Sequence, residues 1–155
     1  MTFQDFISEF ISNRILLAGA CGWLTAQVLK TIIYAITNHG IDWTRLAGDG
    51  GMPSGHSATV TAIAVSCGIE LGFDSALFAL SFFFAIIVMH DAMGVRLETG
   101  KQAKLLNEMV RLFSKDNPGL SEERLKEFVG HTPAQVLIGC LTGCGMAFLL
   151  NLLYL

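Results

Sequence analysis

Charge is missing from long stretches of this chain, and that constrains the fold more than any motif does. Of 155 residues, 23 carry charge, and 14 of those fall between positions 91 and 131. Positions 51–69, 75–90 and 128–155 carry none, and 15–36 hold only Lys30. A soluble domain of this size spreads charge over every helix to solvate its outer face. Here 52% of residues are hydrophobic and mean hydropathy is +0.55, which excludes a soluble globular enzyme and a disordered chain alike. The expectation is an all-α integral membrane bundle, one domain over residues 1–155.

A bilayer core takes about 20 mostly apolar residues per helix. Four segments fit, at 14–37, 57–72, 75–94 and 133–154. Ahead of them Phe3, Phe6, Ile7, Phe10 and Ile11 fall at i, i+3, i+4, i+7 and i+8. That stripe predicts an interfacial helix over 1–13. Asp5 and Glu9 stand where a secretory leader has basic residues, and no small-residue cleavage site follows.

Four spans put the loops 38–56 and 95–132 on one side of the membrane. The first holds Arg45; the second holds Arg96, Lys101, Lys104, Arg111, Lys115, Arg124 and Lys126. The opposite side offers only Arg14. The positive-inside rule then places both loops in the cytoplasm, with a bacterial inner membrane as the expected location. Residues 96–130 read as a cytoplasmic amphipathic helical loop. Leu105, Leu106, Met109, Val110 and Phe113 repeat at helical spacing. After the Pro118-Gly119 turn, Ser121 is suited to cap a second short helix with Leu125, Phe128 and Val129.

Cys21, Cys67, Cys140 and Cys144 all sit inside predicted spans without a Cys-x-x-Cys pair, so small thiols are expected rather than disulfides or zinc ligands. Gly139, Cys140, Gly143 and Cys144 form a small-xxx-small face suited to close helix packing.

Polar residues at membrane depth are costly, so their positions carry information. Lys30 closes the first span, with Gln27 one turn earlier on the same face. Gly50-Gly51-Met52-Pro53-Ser54-Gly55-His56-Ser57 leads into the second. Backbone N–H groups at such a glycine-rich turn into a helix form an anion site, and His56 is placed to give a proton to a leaving oxygen. Pro-Ser-Gly-His arises by chance on the order of once per thousand such chains. The third span ends in His90-Asp91-Ala92-Met93-Gly94-Val95-Arg96. In Gly130-His131-Thr132-Pro133-Ala134-Gln135, Thr132 is a good N-cap and Pro133 suits the first helical position. This fixes His131 at a helix N-terminus, with Gln135 one turn on and within hydrogen-bonding reach of the imidazole. Topology brings Lys30, His56, Arg96 and His131 to one membrane face, where two histidines and two cations suit a phosphate carried on a lipid.

These residues resemble the type 2 phosphatidic acid phosphatase superfamily, specifically its small divergent branch of membrane proteins, over most of the chain. The matching stretches are Gly50–Ser57, Asp91-Ala-Met-Gly-Val-Arg96 with Gly100-Lys-Gln-Ala103, and Gly130-His-Thr-Pro133. The resemblance implies a metal-free, cofactor-free hydrolase that works through a phosphohistidine. In it His131 is the nucleophile and His56 the general acid. Lys30 and Arg96 clamp the phosphoryl oxygens, and Ser54 and Gly55 donate hydrogen bonds to them. Three departures stand out. Thr37 and Asn38 replace the Arg-Pro that follows the first-motif Lys, leaving Arg45 as a substitute cation. Leu125 stands where the third motif has Arg, so Arg96 fits only with about 30 residues inserted before His131. Gln135 replaces the Asp that holds the nucleophile's imidazole, which leaves Asp91 as the candidate compensating carboxylate.

The function expected is removal of phosphate from a lipid phosphate monoester or diphosphate, with phosphatidylglycerol phosphate or phosphatidic acid suiting a cytoplasmic site. The rival is a lipid-phosphate-binding or scaffold protein that keeps the anion site without turnover. Expected partners are the lipid phosphate and membrane lipids, with a homo-oligomer left open and no nucleic acid.

Overall fold

The computed structural model describes residues 2–46, 48, 50–116, 124–127 and 129–153; of Thr44, Arg45, Lys115 and Asp116 it describes the backbone. The helices are α1 (Phe3–Ser12), α2 (Arg14–Asn38), a 3-10 turn (Trp43–Leu46), α3 (Gly55–Leu71), α4 (Ala76–Met93), α5 (Val95–Asp116) and α6 (Pro133–Leu153). Among the described residues there is no strand. Caps set several boundaries: Asn13, Ser54 and Ser75 each accept an N–H from the first turn of α2, α3 and α4. α1 opens with a capping box, Thr2 Oγ1 accepting from Asp5 N and Asp5 Oδ2 from Thr2 N.

Three stretches are long and apolar enough to cross a membrane: Arg14–Asn38, Ala76–Ser114 and Pro133–Leu153. The remaining predicted span is α3, 17 residues long, at the centre of the bundle against α2, α4 and α6. A salt bridge from Arg14 to Glu70 at 3.3 Å joins the start of α2 to the end of α3, so the two run antiparallel.

The interior is made of small residues. Ala18, Ala26, Ala58, Ala62, Ala85 and Ala147 are buried, while Leu80, Phe83, Ile87, Leu141 and Leu152 face outward. A water-soluble domain buries such side chains; a bundle solvated by lipid gains nothing by doing so and packs through close backbone approach instead. Gly143 of α6 lies directly on the α3 backbone at Ala58 and Ala62, leaving no room for a Cβ. Nothing lies within 4 Å of the corresponding position at Gly145. Gly143→Leu is therefore expected to destabilise the bundle by about 1–3 kcal/mol through overpacking, while Gly145→Leu leaves it unchanged. Unfolding midpoints of the two variants in detergent give the comparison.

The long loop differs from its expected form. α5 is one 22-residue helix, set off from α4 by Gly94, with Leu105, Leu106, Met109 and Phe113 exposed. The second helix does not form at Arg124–Glu127 or Val129, which are non-helical. The reason is a tertiary contact: Leu125 N–H and C=O pair with the Asn107 side chain instead of with helical partners. Ser121 and Phe128 lie outside the described residues. All four cysteines are free thiols, and Cys140 Sγ donates to Met89 Sδ at 3.0 Å.

Candidate active site

A cavity of about 250 Å³ opens where α2, α3 and the entry to α6 meet, lined by Trp23, Gln27, Lys30, Gly48, Gly55, His56 and His131. Trp23, Gln27 and Lys30 recur at i, i+4 and i+7 and so share one face of α2, about 10 Å from end to end. Lys30 is only 4% exposed. Its Nζ donates to Gln27 Oε1 at 2.6 Å and to the Gly48 carbonyl at 3.1 Å, so the buried ammonium is solvated by protein oxygens.

His56 occupies the first turn of α3, beside Gly55 on the cavity wall, and its ring centroid lies 6.2 Å from that of His131 at 62°. His131 is 3% exposed. Two features hold it. Its backbone N–H donates to the Ala92 carbonyl at the end of α4 at 2.9 Å. Gly130, at φ +92°, rests directly on the Arg96–Leu97 backbone, where any side chain would collide.

Gln135 has two roles. Its Oε1 accepts the Thr132 N–H at 3.0 Å while Thr132 Oγ1 accepts the Gln135 N–H at 3.4 Å, a capping box on α6. The same Oε1 lies 3.3 Å from His131 Nδ1. Because Thr132 N–H orients that atom as the oxygen, it favours the tautomer with the proton on Nδ1 and the lone pair on Nε2. Burial pushes the His131 imidazole below its ordinary value of 6.5, opposed by the Gln135 hydrogen bond; the charges of Lys30 and His56 lower it further, and the Gly51 backbone opposes them.

The remaining sequence candidates are placed differently. Ser54 is fully buried and works as a brace rather than lining the cavity. Its Oγ accepts from Ser57 N–H at 3.3 Å and from the Ser57 hydroxyl at 2.9 Å, and its N–H donates to the Gln135 carbonyl at 3.0 Å. Arg96 Nε donates to Asp91 Oδ2 at 2.6 Å in a pair exposed by 47% and 41%. The structure thus joins Asp91 to Arg96 and brings neither to the cavity lining. The side chain of Arg45 lies outside the described residues. Trp23 and Gly48 were not singled out from the sequence. Trp23 is legible there as the residue one turn before Gln27 on the Lys30 face, whereas Gly48 contributes a backbone carbonyl that no motif marks. Among the described residues no group of three His, Cys, Asp or Glu side chains is arranged to hold a metal ion.

Comparison with known proteins agrees with this architecture. The chain is 42% identical over 145 residues to YuiD of Bacillus subtilis (strain 168), described as an uncharacterized membrane protein, with 87% of this chain and 92% of that one covered. No solved structure matches. A family model described as the divergent PAP2 family matches residues 11–146, and the chain is a membrane protein that belongs to this family.

Proposed function

We propose that the protein is a membrane phosphatase that removes phosphate from a lipid phosphate monoester or diphosphate. The observation that carries the reading is the convergence of Lys30 from α2, His56 from α3 and His131 from the segment entering α6 on one small cavity. His131 Nε2 attacks phosphorus and the P–O bond to the lipid breaks. His56 gives its proton to the departing alkoxide or phosphate oxygen. Water then attacks the phosphohistidine and His56 takes up the proton, so that inorganic phosphate leaves and both imidazoles are restored. Lys30 and the N-terminus of α3 at Gly55 stabilise the equatorial phosphoryl oxygens. The positively charged loops support a cytoplasmic site, which suits lipids phosphorylated on that leaflet, phosphatidylglycerol phosphate and phosphatidic acid among them.

A second reading, lipid-phosphate binding without turnover, is favoured by one specific feature. Gln135 hydrogen-bonds the imidazole yet offers no charge to the imidazolium that forms in the reaction.

The test is phosphate release in detergent from phosphatidic acid, phosphatidylglycerol phosphate and a prenyl diphosphate. Release from at least one is expected, with Lys30→Gln lowering it by about 10²–10³, the usual cost of one transition-state donor. No release from any of the three rejects the phosphatase in favour of the binding protein. Nucleophilic attack needs neutral His131, so the acid limb of the rate profile is expected below pH 6.5, following the lowered imidazole. A limb at or above 6.5 contradicts this role.

A further inference from the structure

The segment that delivers His131 is held along α5 at several points. Asn107 pairs with it as a neighbouring strand would, Oδ1 accepting Leu125 N–H at 2.9 Å and Nδ2 donating to Leu125 O at 2.9 Å and Glu127 Oε1 at 2.8 Å. About two turns toward the N-terminus of α5, Gly100 faces the backbone of Glu127 and Val129. Gly130 then rests on Arg96 and Leu97, and His131 N–H reaches Ala92. Residues 124–127 and 129–131 therefore run back along α5 to the cavity, and the placement of His131 depends on that register.

Beside the Asn107 clasp lies a second cavity of about 300 Å³, lined by Lys104, Asn107, Glu108, Arg111, Arg124 and Glu127 among others. Its cations come from both walls: Lys104 and Arg111 from α5, Arg124 from the returning segment. Of its two carboxylates, Glu127 accepts from Asn107 and Glu108 lies 3.9 Å from Arg111. Among the described residues, three cations against two carboxylates leave the lining with one net positive charge. Guanidinium and ammonium groups lining one cleft bring their mutual repulsion together with a fit for phosphate oxygens.

We propose that this cavity binds a phosphate-bearing anion, which ties Arg124 to Lys104 and Arg111 and so fixes the segment carrying His131. A lipid headgroup and free inorganic phosphate share this chemistry. Binding stands on the cavity alone, whereas any effect on turnover rests on the phosphatase reading.

The experiment is hydrogen exchange at Leu125–Glu127 in the full-length protein. Lys30→Gln is used as background to remove phosphate binding at the His131 cavity. Inorganic phosphate is titrated into phosphatidylcholine nanodiscs against chloride at equal ionic strength, and phosphatidylglycerol nanodiscs without phosphate are run alongside. At about 100 times the dissociation constant, exchange is expected to slow about 100-fold. The protection is expected to disappear in Lys104→Gln/Arg124→Gln and to persist in Lys101→Gln, whose lysine pairs with Glu98 outside the cavity. Slowing by phosphate identifies a soluble ligand, and slowing only in phosphatidylglycerol identifies a lipid headgroup; both support the site. No slowing under either condition, or slowing that survives in the double variant, overturns it. Protection in a protein that releases no phosphate from lipids keeps this site and removes only the phosphatase reading.

Discussion

His131→Ala is expected to lower lipid-phosphate hydrolysis by on the order of 10⁴. Loss of the nucleophile from a fully equipped covalent hydrolase costs roughly 10⁶; the smaller figure follows from Gln135, which leaves less catalysis to lose. The substitution removes the imidazole but keeps the backbone N–H that donates to Ala92, so the α6 entry retains its anchor. Two measurements separate a chemical role from a structural one. Rapid quenching with a radiolabelled lipid phosphate is expected to trap an acid-labile phosphoryl-protein in the wild type and none in the variant. Phosphate release that survives His131→Ala rejects the assignment.

Gln135→Asp is expected to act in the opposite direction, raising turnover by about 10²–10⁴. The upper bound mirrors the roughly 10⁴ lost when the carboxylate of a serine-protease triad becomes an amide. The α6 cap survives the change, because Thr2 and Asp5 make the same capping box with an aspartate on α1. A carboxylate beside Nδ1 favours the imidazolium and so raises the His131 value. At a given acidic pH less of the imidazole is then neutral, and the acid limb moves to higher pH as the maximal rate rises. A rate and limb that both stay in place show that Gln135 serves only the helix cap.

Much of the bundle is legible in the chain because its signals are local. The charge-free runs mark the helices that a bilayer can hold, and Asn13, Ser54, Ser75 and Thr132 cap them at or beside the expected boundaries. Lys30 and Gln27 are identifiable as a pair because three residues along a helix is one turn. Thr132 and Gln135 carry their capping box in their spacing. The helix expected around Leu125 shows the limit. Its apolar spacing is real, but Asn107, 18 positions away, takes the backbone groups a helix needs.

The same limit applies at the site. Pro-Ser-Gly-His marks the turn that carries Gly55 and His56 to the cavity wall, but it does not show that Ser54 turns away from the cavity or that Arg96 stays outside it. Ser57 and the Gln135 carbonyl occupy Ser54, and Asp91 occupies Arg96. Sequence by itself determined that this chain is an all-helical membrane protein with a few costly polar residues in or beside its spans, because hydropathy and capping are written in neighbouring residues. Tertiary structure alone decided which of those residues share a cavity: Lys30, His56 and His131, joined by Trp23 and the Gly48 carbonyl. That choice turns on distances between helices, set by how closely Gly143 lets α6 approach α3 and by the register in which Gly130 rests on α5.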